Sequence, residues 1–254
     1  MGDRTRELQT GLLMDGTAQR IYRGLGNDYW WTAGKTDVIR FLLAHSFPPT
    51  GKDRVADVGC GPGHMIEHFG GWGAVTGLDF SRDAVRAARD RGYRLTLRSD
   101  ARRLPLRTAA YDLVFALDIV EHIVQDRRVC REIARICKPG GRCVIVVPAL
   151  RFLWGAHDDL YGHVRRYTLS EVRRLVTDAG LRIEKLTYVQ ILFLLPLLFF
   201  RRIKKLLPSP DRGDFVTLPP AVNAGLRRLV AAERWFLRYL DWPIGVSIVC
   251  VARK

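Results

Sequence analysis

The sequence predicts an α/β protein in which helices surround a Rossmann-like, doubly wound sheet. Three observations support this fold class. Short apolar segments typical of strands alternate with segments whose apolar residues recur at helical spacing. A glycine-rich turn follows the first predicted strand, and the continuous apolar segment 142–147 is typical of a strand buried on both faces of a parallel sheet. A chain of 254 residues with 48% hydrophobic content can bury the core of one such domain.

In the first half of the chain, strands and helices alternate from residue 37 onwards. Apolar spacing predicts a helix over 37–47, which ends before Pro48 and Pro49. Ser81 is a predicted N-cap, and Gly92 ends the helix that Ser81 begins. The other elements of this half are a helix from about His64 and three strands, at 54–58, 74–78 and 95–98.

The second half continues the same alternation. A strand at 111–117 precedes a helix at 126–137, which ends before Pro139-Gly140-Gly141, and the apolar strand 142–147 follows. Thr168 and Glu171 match a capping box for a helix that ends at Gly180. The last two strands are predicted at 182–189 and 246–252. The sequence contains no internal repeat or low-complexity linker, so we expect a single domain over 1–254.

Charge and cysteine content restrict the classes of partner and compartment. The net charge of +15 favours anionic partners, such as nucleic acid, acidic lipid headgroups or a phosphorylated acceptor. The five cysteines form no CxxC pair and are odd in number, which argues against a zinc knuckle or a disulfide framework. The polar start of the chain lacks the apolar core of a signal peptide. We therefore expect a cytoplasmic protein.

The glycine-rich turn "RVADVGCGPGH" is the first candidate site. The dinucleotide fingerprint needs glycines at the first, third and sixth positions, but here they are Gly59, Gly61 and Gly63, and the sixth position is His64. This spacing argues against NAD. Asp57, just before the turn, can pair with the ammonium group of an amino-acid-like ligand. The glycines let the backbone approach that ligand, and the following helix N-terminus favours its carboxylate.

Two further acids follow the next two strands. Asp79 ends the second strand, where an acid can bind the hydroxyls of a ribose. Asp100, just past the third strand, is placed to meet the amino group of an adenine. Three acids at three successive strand ends, together with the glycine turn, point to a ligand that combines an amino acid with a nucleoside.

At these residues the sequence resembles the class I S-adenosylmethionine-dependent methyltransferases. The first motif of this family matches "VADVGCGPG", and the second matches "VTGLDFS". The third and fourth motifs match "SDARRLPLRTAAYDLVFALDIVEHI", and the family's strand before the acceptor site matches "ICKPGGRCVIVVP". The resemblance implies a seven-stranded sheet with an antiparallel last strand, S-adenosylmethionine as cofactor and S-adenosylhomocysteine as product. It also implies these cofactor contacts: Asp57, Gly59, Gly61, Gly63, Asp79, Phe80, Asp100, Ala101 and Leu117.

The resemblance also divides the domain into parts. Residues 1–50 correspond to an N-terminal lid and helix, 51–190 to the cofactor-binding core, 191–241 to a helical insertion, and 242–254 to the last strand. The stretches "DYWWTAGKTDVIRFLL", "LWGAHDDLYGHVRRYT" and "WPIGVSIVCVARK" look like a bacterial subgroup. The acceptor of that subgroup is not implied by the resemblance.

Four residues after the fifth strand are candidate bases: His157, Asp158, His163 and Tyr167. A sulfonium methyl group is already activated, so a base is needed only when the acceptor is a poorly acidic hydroxyl or carbon. Histidine suits this role because its pKa lies near neutrality. The alternative is that these residues hold a long loop in place, with the neighbouring arginines solvated or paired to Asp158 and Asp159.

The segment "DIVEH" gives a further reason to expect that His163 is a site residue. It resembles the acid-x-x-Glu-His motif that holds a divalent cation in ubiquinone-pathway O-methyltransferases and in small-RNA terminal 2′-O-methyltransferases. Asp118, Glu121 and His122 match that motif, and His163 matches the later histidine of the RNA enzymes. The resemblance thus implies a possible Mg²⁺ site, although the first acid is Asp rather than Glu. Otherwise Glu121 and His122 fix the strand-to-helix turn.

Two apolar features flank the core. Trp30 and Trp31 form either a lid over the site or a plug against the sheet edge.

Residues 191–200 are ten consecutive apolar residues, and Pro196 is expected to break this run. Ten residues are too few to span a bilayer. They could lie in a membrane interface, with four bases meeting acidic headgroups, or form a core helix or dimer surface. These bases are Arg201, Arg202, Lys204 and Lys205.

The rest of the insertion, 218–240, is predicted as an amphipathic helix that begins at two prolines. Its polar side is expected to carry four arginines: Arg227, Arg228, Arg234 and Arg238.

Together these patterns predict a methyltransferase for a small, hydrophobic or lipid-linked acceptor, acting by O-methylation rather than on carbon or nitrogen. Peripheral contact with the inner face of an anionic membrane is part of this prediction. One alternative is an RNA methyltransferase of the metal-assisted 2′-O type, which the charge favours. Nucleic acid is disfavoured because the bases lie in scattered pairs without an RNA-binding module. Another alternative is a non-catalytic subunit that keeps the fold. The sequence does not predict an oligomeric state.

Overall fold

The computed structural model describes residues 29–206 and 218–254. Its sheet has seven strands: β1 Asp53–Val58, β2 Gly73–Asp79, β3 Leu95–Arg98, β4 Tyr111–Leu117, β5 Cys137–Pro148, β6 Arg182–Val189 and β7 Ser247–Arg253. They lie in the order β3-β2-β1-β4-β5-β7-β6. β7 runs antiparallel to both of its neighbours, and the other pairs are parallel. The predicted doubly wound sheet with an antiparallel last strand is confirmed.

The helices of the described residues cover both faces of this sheet. They are α1 Trp30–Ser46, α2 Ile66–Phe69, α3 Arg82–Asp90, α4 Asp126–Ile136, α5 Ala156–Tyr161, α6 Leu169–Thr177, α7 Leu194–Leu206 and α8 Pro220–Leu237. One apolar core lies between the sheet and residues of α4 and α6. The other lies between the sheet and residues of α1, α3 and α8. This layering is the usual one for a parallel sheet, whose strands need apolar cover on both faces.

Two predicted helix starts are confirmed by side-chain caps. The Ser81 hydroxyl accepts a hydrogen bond from the amide of Ala84 at 3.3 Å and begins α3. At α6, the Glu171 carboxylate accepts from the amide of Thr168 at 2.8 Å, and the Thr168 hydroxyl accepts in return from the amide of Glu171 at 3.4 Å. These bonds satisfy amides that the first helical turn leaves without partners.

Three element boundaries differ from the sequence prediction. α1 begins at Trp30, so the two tryptophans form its first turn rather than precede it. The helix after the glycine turn is only Ile66–Phe69. β5 begins at Cys137, before the Pro-Gly-Gly segment. Cys137 pairs with Tyr111 and Arg142 with Leu113, so the residues between them form an irregularity within the strand rather than a boundary.

The insertion between β6 and β7 contains a 3₁₀ turn at Ile191–Phe193, then α7 and α8. Pro196 is the third residue of α7, where an amide would have no helical partner, so it does not break the apolar run as predicted. The buried Glu233 of α8 accepts hydrogen bonds from the amides of Gln190 and Ile191, each at 2.6 Å, and so holds the start of the insertion. None of the described helices is long and apolar enough to cross a membrane.

Candidate active site

A cavity of about 470 Å³ opens at the carboxyl ends of the parallel strands, beside the point where the chain reverses direction between β1 and β4. Ligands of doubly wound sheets bind at this switch point. One side of the cavity is made by the glycine turn and the ends of β2 and β4. The opposite side is made by α1, α5 and the insertion. Its lining includes Gly59, Gly61, Asp79, His163, Trp30 and Phe193.

The glycine turn has the shape that only glycines allow. Gly59 has φ of +78°, and a Cβ there would lie 2.7 Å from the Ile119 side chain. Gly61 has φ of +52°, and its amide donates to one Asp79 oxygen at 2.9 Å. The other Asp79 oxygen accepts from the amide of Ser81 at 2.8 Å. Burial raises the pKa of Asp79, although these amide bonds oppose the rise. Asp79 thus fixes the turn while it borders the cavity.

Most of the predicted cofactor contacts line this cavity, and three do not. The lining members are Gly59, Gly61, Asp79, Phe80, Ala101 and Leu117. Gly63 packs against α3, where a Cβ would lie 2.8 Å from the Ala88 Cα. Asp57 is buried behind the turn and accepts from the Tyr93 hydroxyl at 2.6 Å. Asp100 accepts from the Arg102 guanidinium at 2.6 Å. The roles of Asp57 and Asp100 toward a ligand stay predictions.

S-adenosylmethionine, the cofactor that the resemblance implies, fits these residues. The glycine turn offers backbone at close approach, Asp79 offers a carboxylate at the end of β2, and Phe80, Ala101 and Leu117 offer apolar walls. Such a mixture of apolar surface and few polar groups suits a nucleoside carrying an amino acid.

Asp158 organises the acceptor side of the cavity. It is fully buried, and its carboxylate lies 2.8 Å from His163 Nδ1 and 2.8 Å from Arg166 Nε. The amide of Gly155 also donates to it, at 2.9 Å. Burial alone would raise the pKa of Asp158, but the His163 hydrogen bond and the Arg166 charge outweigh burial and hold it below its ordinary value. An ionised Asp158 keeps the proton of His163 on Nδ1 and leaves Nε2 as an acceptor.

Next to this pair, Glu121, His122 and His163 bring donor atoms within 4.8 Å of one another. His163 Nε2 lies 4.0 Å from a Glu121 oxygen, and the two imidazoles meet edge to face at 4.8 Å. Glu121 is fully buried, and neither of its oxygens has a hydrogen-bond partner among the residues described. Burial and then the Asp118 charge raise the pKa of Glu121, while burial and then His163 lower that of His122 to about 3.

Two candidates from the sequence lie elsewhere. Asp118 lines the cavity but pairs with Lys35 of α1 and is not among the three clustered donors. Tyr167 is packed into the core against α4 and α6, and its hydroxyl donates to Asp126 at 3.0 Å. Burial and the neighbouring Asp126 raise the pKa of Tyr167, so its phenol stays protonated. The structure therefore corrects the expectation that Tyr167 is a base in the cavity.

His157 does reach the cavity, where its ring stacks on Tyr161 at 4.5 Å. Trp30 and Trp31 also line it and meet the Phe193 ring at 4.9 and 6.0 Å. Arg201 is turned inward, with its guanidinium 3.6 Å from Asp158, which corrects its expected role toward headgroups. The side chains of Arg202, Lys204 and Lys205 lie outside the described residues.

Sequence reasoning missed Lys35, Tyr161 and Phe193 as cavity residues. Lys35 follows Trp31 by four residues on one helix, so a search for neighbours one turn apart would have found it. Tyr161 is likewise four residues after His157. Phe193 lies within an apolar run, and nothing in the sequence distinguishes it from its neighbours.

Comparisons with known proteins agree with this geometry. A family model described as a methyltransferase domain matches residues 56–145. A "Probable S-adenosylmethionine-dependent methyltransferase" of Mycolicibacterium smegmatis is 29% identical over 72% of this chain and 71% of its own length. The 27-O-demethylrifamycin SV methyltransferase of Amycolatopsis mediterranei is 33% identical over 41% of each chain, so the match spans less than half of that relative.

Among solved structures, an S-adenosylmethionine-dependent methyltransferase from Mesorhizobium loti superposes with a TM-score of 0.55 and 18% identity. The superposition covers 84% of this chain and 96% of that one, and it shows a shared fold. The matching domain, the relatives and the seven-stranded sheet together support a class I S-adenosylmethionine-dependent methyltransferase.

Proposed function

We propose that this methyltransferase methylates a hydroxyl oxygen of a small, hydrophobic or lipid-linked acceptor. The observation that carries the proposal is the hydrogen bond between His163 and the buried Asp158. His163 lines the cavity together with Asp79 and the glycine turn. A histidine oriented by a buried carboxylate is the arrangement that removes a proton from a hydroxyl. Methylation of an amine would not require such a base.

Each part of the cavity has a role in this proposal. When bound, S-adenosylmethionine supplies an activated methyl group on a sulfonium. Gly59, Gly61 and Asp79 bind the cofactor, while His163 Nε2 accepts the proton of the acceptor hydroxyl. Asp158 holds the imidazole and stabilises its protonated form. The chain thereby positions the reacting oxygen. Such positioning can lower the free-energy barrier by several kcal/mol.

The walls opposite the glycine turn support a hydrophobic acceptor. They consist largely of apolar side chains: Trp30, Trp31, Phe193, Pro196, Leu197 and Val246. Burying such surfaces against an apolar acceptor is favourable and also excludes water from the proton transfer. The Amycolatopsis relative is named for methylation at an oxygen, which agrees with the proposed target atom.

The experiment compares His163→Gln with His45→Gln, an exposed histidine at the end of α1. Both are assayed with methyl-labelled S-adenosylmethionine against a panel of apolar alcohols and phenols. We expect His163→Gln to lose about 10²- to 10⁴-fold in kcat/KM because general-base catalysis is lost. Its cofactor affinity, measured by calorimetry, should stay within about twofold, and His45→Gln should keep full activity. Equal activity in both variants would remove His163 from the reaction.

A second candidate is a metal-assisted form of the same reaction, favoured by the unpartnered Glu121 beside two imidazoles. This donor set does not fit Mg²⁺, which prefers oxygen ligands, but it suits first-row transition ions such as Mn²⁺ or Zn²⁺. If such an ion is required, chelation should abolish activity, and Mn²⁺ or Zn²⁺ should restore it where Mg²⁺ does not. Full activity in chelator would leave His163 as a simple base. RNA in the acceptor panel tests the RNA alternative.

A further inference from the structure

Helix α8 presents an apolar surface to solvent as well as to the core. Trp235 is 59% exposed and Tyr239, in the turn after the helix, is 77% exposed. Val222, Leu229 and Phe236 are also exposed. At helical spacing these five residues fall on one side of the helix, which we call the α8 outer face. With the other residues on that side, the α8 outer face consists of Val222, Gly225, Arg228, Leu229, Ala232, Trp235, Phe236 and Tyr239. Among the described residues, a Cβ at Gly225 would meet no atom within 4 Å, so no described part of the chain covers this position.

The opposite side of α8 already has its partner. Val230, Ala231 and Leu237 are buried, and Arg227 pairs with Asp37 of α1 at 3.0 Å. On the outer face, Trp235 meets the Phe41 ring at 5.7 Å and Phe236 meets the Trp242 ring at 6.1 Å, yet both side chains stay more than half exposed. A surface helix normally exposes a polar side, whereas the α8 outer face has one charged residue, Arg228, among apolar ones. The α8 outer face thus needs an occupant other than the described residues of this chain.

We propose that the α8 outer face docks the protein on a bilayer that contains anionic lipids. Tryptophan and tyrosine are the residues that favour the membrane interface, because their rings are apolar with one polar group. The outer face contains no acidic residue, and its charged residue is Arg228, with the exposed Arg238 beside it. The net charge of the chain, +15, adds attraction toward an acidic surface.

A second copy of the chain fits this surface less well. Two α8 helices paired antiparallel about a two-fold axis at their centre would bring Arg228 against Arg228, because it lies near the midpoint of Pro220–Leu237. The outer face has no carboxylate that could neutralise this pair. Acidic headgroups provide the charge that the second copy lacks.

The N-terminal end of α8 lies beside the cavity. The Asn223 side chain of α8 accepts from the amide of Trp30 at 2.9 Å, and Leu218, just before the helix, lines the cavity. Docking through the α8 outer face would therefore place this edge of the cavity about one helix diameter, about 10 Å, from the membrane surface. A membrane-docked protein could receive a lipid-linked acceptor from the bilayer, and this is the only part of the inference that rests on the proposed function. Membrane binding itself requires neither cofactor nor catalysis.

The test is co-sedimentation of the full chain with vesicles of phosphatidylcholine alone or with about one third phosphatidylglycerol. We expect binding only to the anionic vesicles, and weaker binding as salt rises from 0.1 to 0.5 M. The pair Trp235→Gln and Tyr239→Gln should lower the partition coefficient at least tenfold. The pair Arg228→Gln and Arg238→Gln should lower it about thirtyfold, since each base near the surface contributes about fivefold. Phe152→Gln, an exposed aromatic outside the α8 outer face, is the matched control.

Calorimetry with S-adenosylhomocysteine on each variant separates this proposal from the proposed function, because docking variants should bind the ligand as the parent protein does. Thermal unfolding checks that the substituted chains remain folded. The proposal is overturned if the parent chain stays in solution with anionic vesicles, or if Phe152→Gln weakens binding as much as the aromatic pair. A parent dimer that becomes monomeric in the α8 variants, without vesicle binding, would assign the face to a second copy.

Discussion

Three residues just beyond the carboxyl ends of strands have a strained backbone, and one of them, Asp118, lines the cavity. Asp118, Leu150 and Gln190 have φ of +52°, +61° and +62°, in a region that side chains other than glycine rarely occupy. Each follows the end of a different strand, β4, β5 or β6. Tertiary contacts hold two of them, because Asp118 pairs with Lys35, and the amide of Gln190 donates to Glu233. Such strain costs on the order of 1–3 kcal/mol per residue and is concentrated at functional sites.

Asp79 gives the first residue-scale prediction. Asp79→Asn keeps the shape of the side chain but removes the charge that would bind ribose hydroxyls. We expect the affinity for S-adenosylhomocysteine to fall at least tenfold, because a charge-assisted hydrogen bond contributes roughly 1.5–3 kcal/mol. Calorimetry would compare it with Asp90→Asn, the same change at an exposed position of α3. An affinity within twofold of the parent would remove Asp79 from the cofactor site.

Asp57 gives a prediction for pH. Burial raises its pKa from 3.8 to about 6; the Tyr93 hydrogen bond lowers it, and the Asp79 charge raises it further. The stability contributed by protonated Asp57 is therefore complete below pH 3.8 and lost as pH rises through about 6. The loss is about 3 kcal/mol in the free energy of unfolding, at about 1.4 kcal/mol for each pKa unit.

Asp57→Asn cannot ionise and should not suffer this loss. Urea unfolding at pH 4, 5.5 and 7 measures the free energy of unfolding of both proteins. The value for the variant minus that for the parent should rise by about 3 kcal/mol across the series. Parallel pH profiles for the two proteins would mean that Asp57 is not buried as an ionisable group in the native state.

At the scale of elements, the close contact between α1 and α8 supports the acceptor side of the cavity. It depends on Gly34, since a Cβ at this position would lie 2.6 Å from the Val230 Cβ and 3.2 Å from the Arg227 carbonyl oxygen. The same pair of helices holds Trp30 through Asn223. Separating the helices would therefore also move the tryptophans that line the cavity.

The same substitution in two helices tests this contact. Gly34→Ala should lower the free energy of unfolding by about 1–3 kcal/mol because it overpacks the interface. Gly225→Ala, where a Cβ meets nothing within 4 Å, should raise the free energy of unfolding by up to about 1 kcal/mol through helix propensity. Urea denaturation of both variants measures the difference. Equal changes in the free energy of unfolding of Gly34→Ala and Gly225→Ala would argue against a close approach of α1 and α8.

At the scale of the whole molecule, the sequence predicts what local chemistry determines. Alternating apolar segments place the seven strands, and the Ser81 and Thr168 caps place two helix starts, because these signals act within a few residues. The direction of Tyr167 into the core could not be predicted, since it depends on how α4 and α6 pack. The prediction that Pro196 breaks the apolar run is wrong for a similar reason, because the effect of a proline depends on where α7 begins. Asp57 and Asp100 are predicted at strand ends, but the partners that hold them, Tyr93 and Arg102, are set by tertiary structure and local loop geometry.

The helical insertion leaves β6 and returns into β7, and these two strands are hydrogen-bonded neighbours with Val189 opposite Ser247. A detour that starts and finishes at one point of a hairpin can change length or content at little entropic cost and without altering the register of the sheet. One part of the cavity wall thus comes from a segment that can be exchanged, whereas the glycine turn belongs to the sheet itself. The residues of this part are Phe193, Pro196, Leu197, Arg201, Leu218 and Val246. Substitutions confined to residues 190–246 would therefore reshape this part of the wall and leave the contributions of α1 and α5 in place. A chimera made at these two boundaries would keep the sheet and the glycine turn of one parent and take this part of the wall from the other.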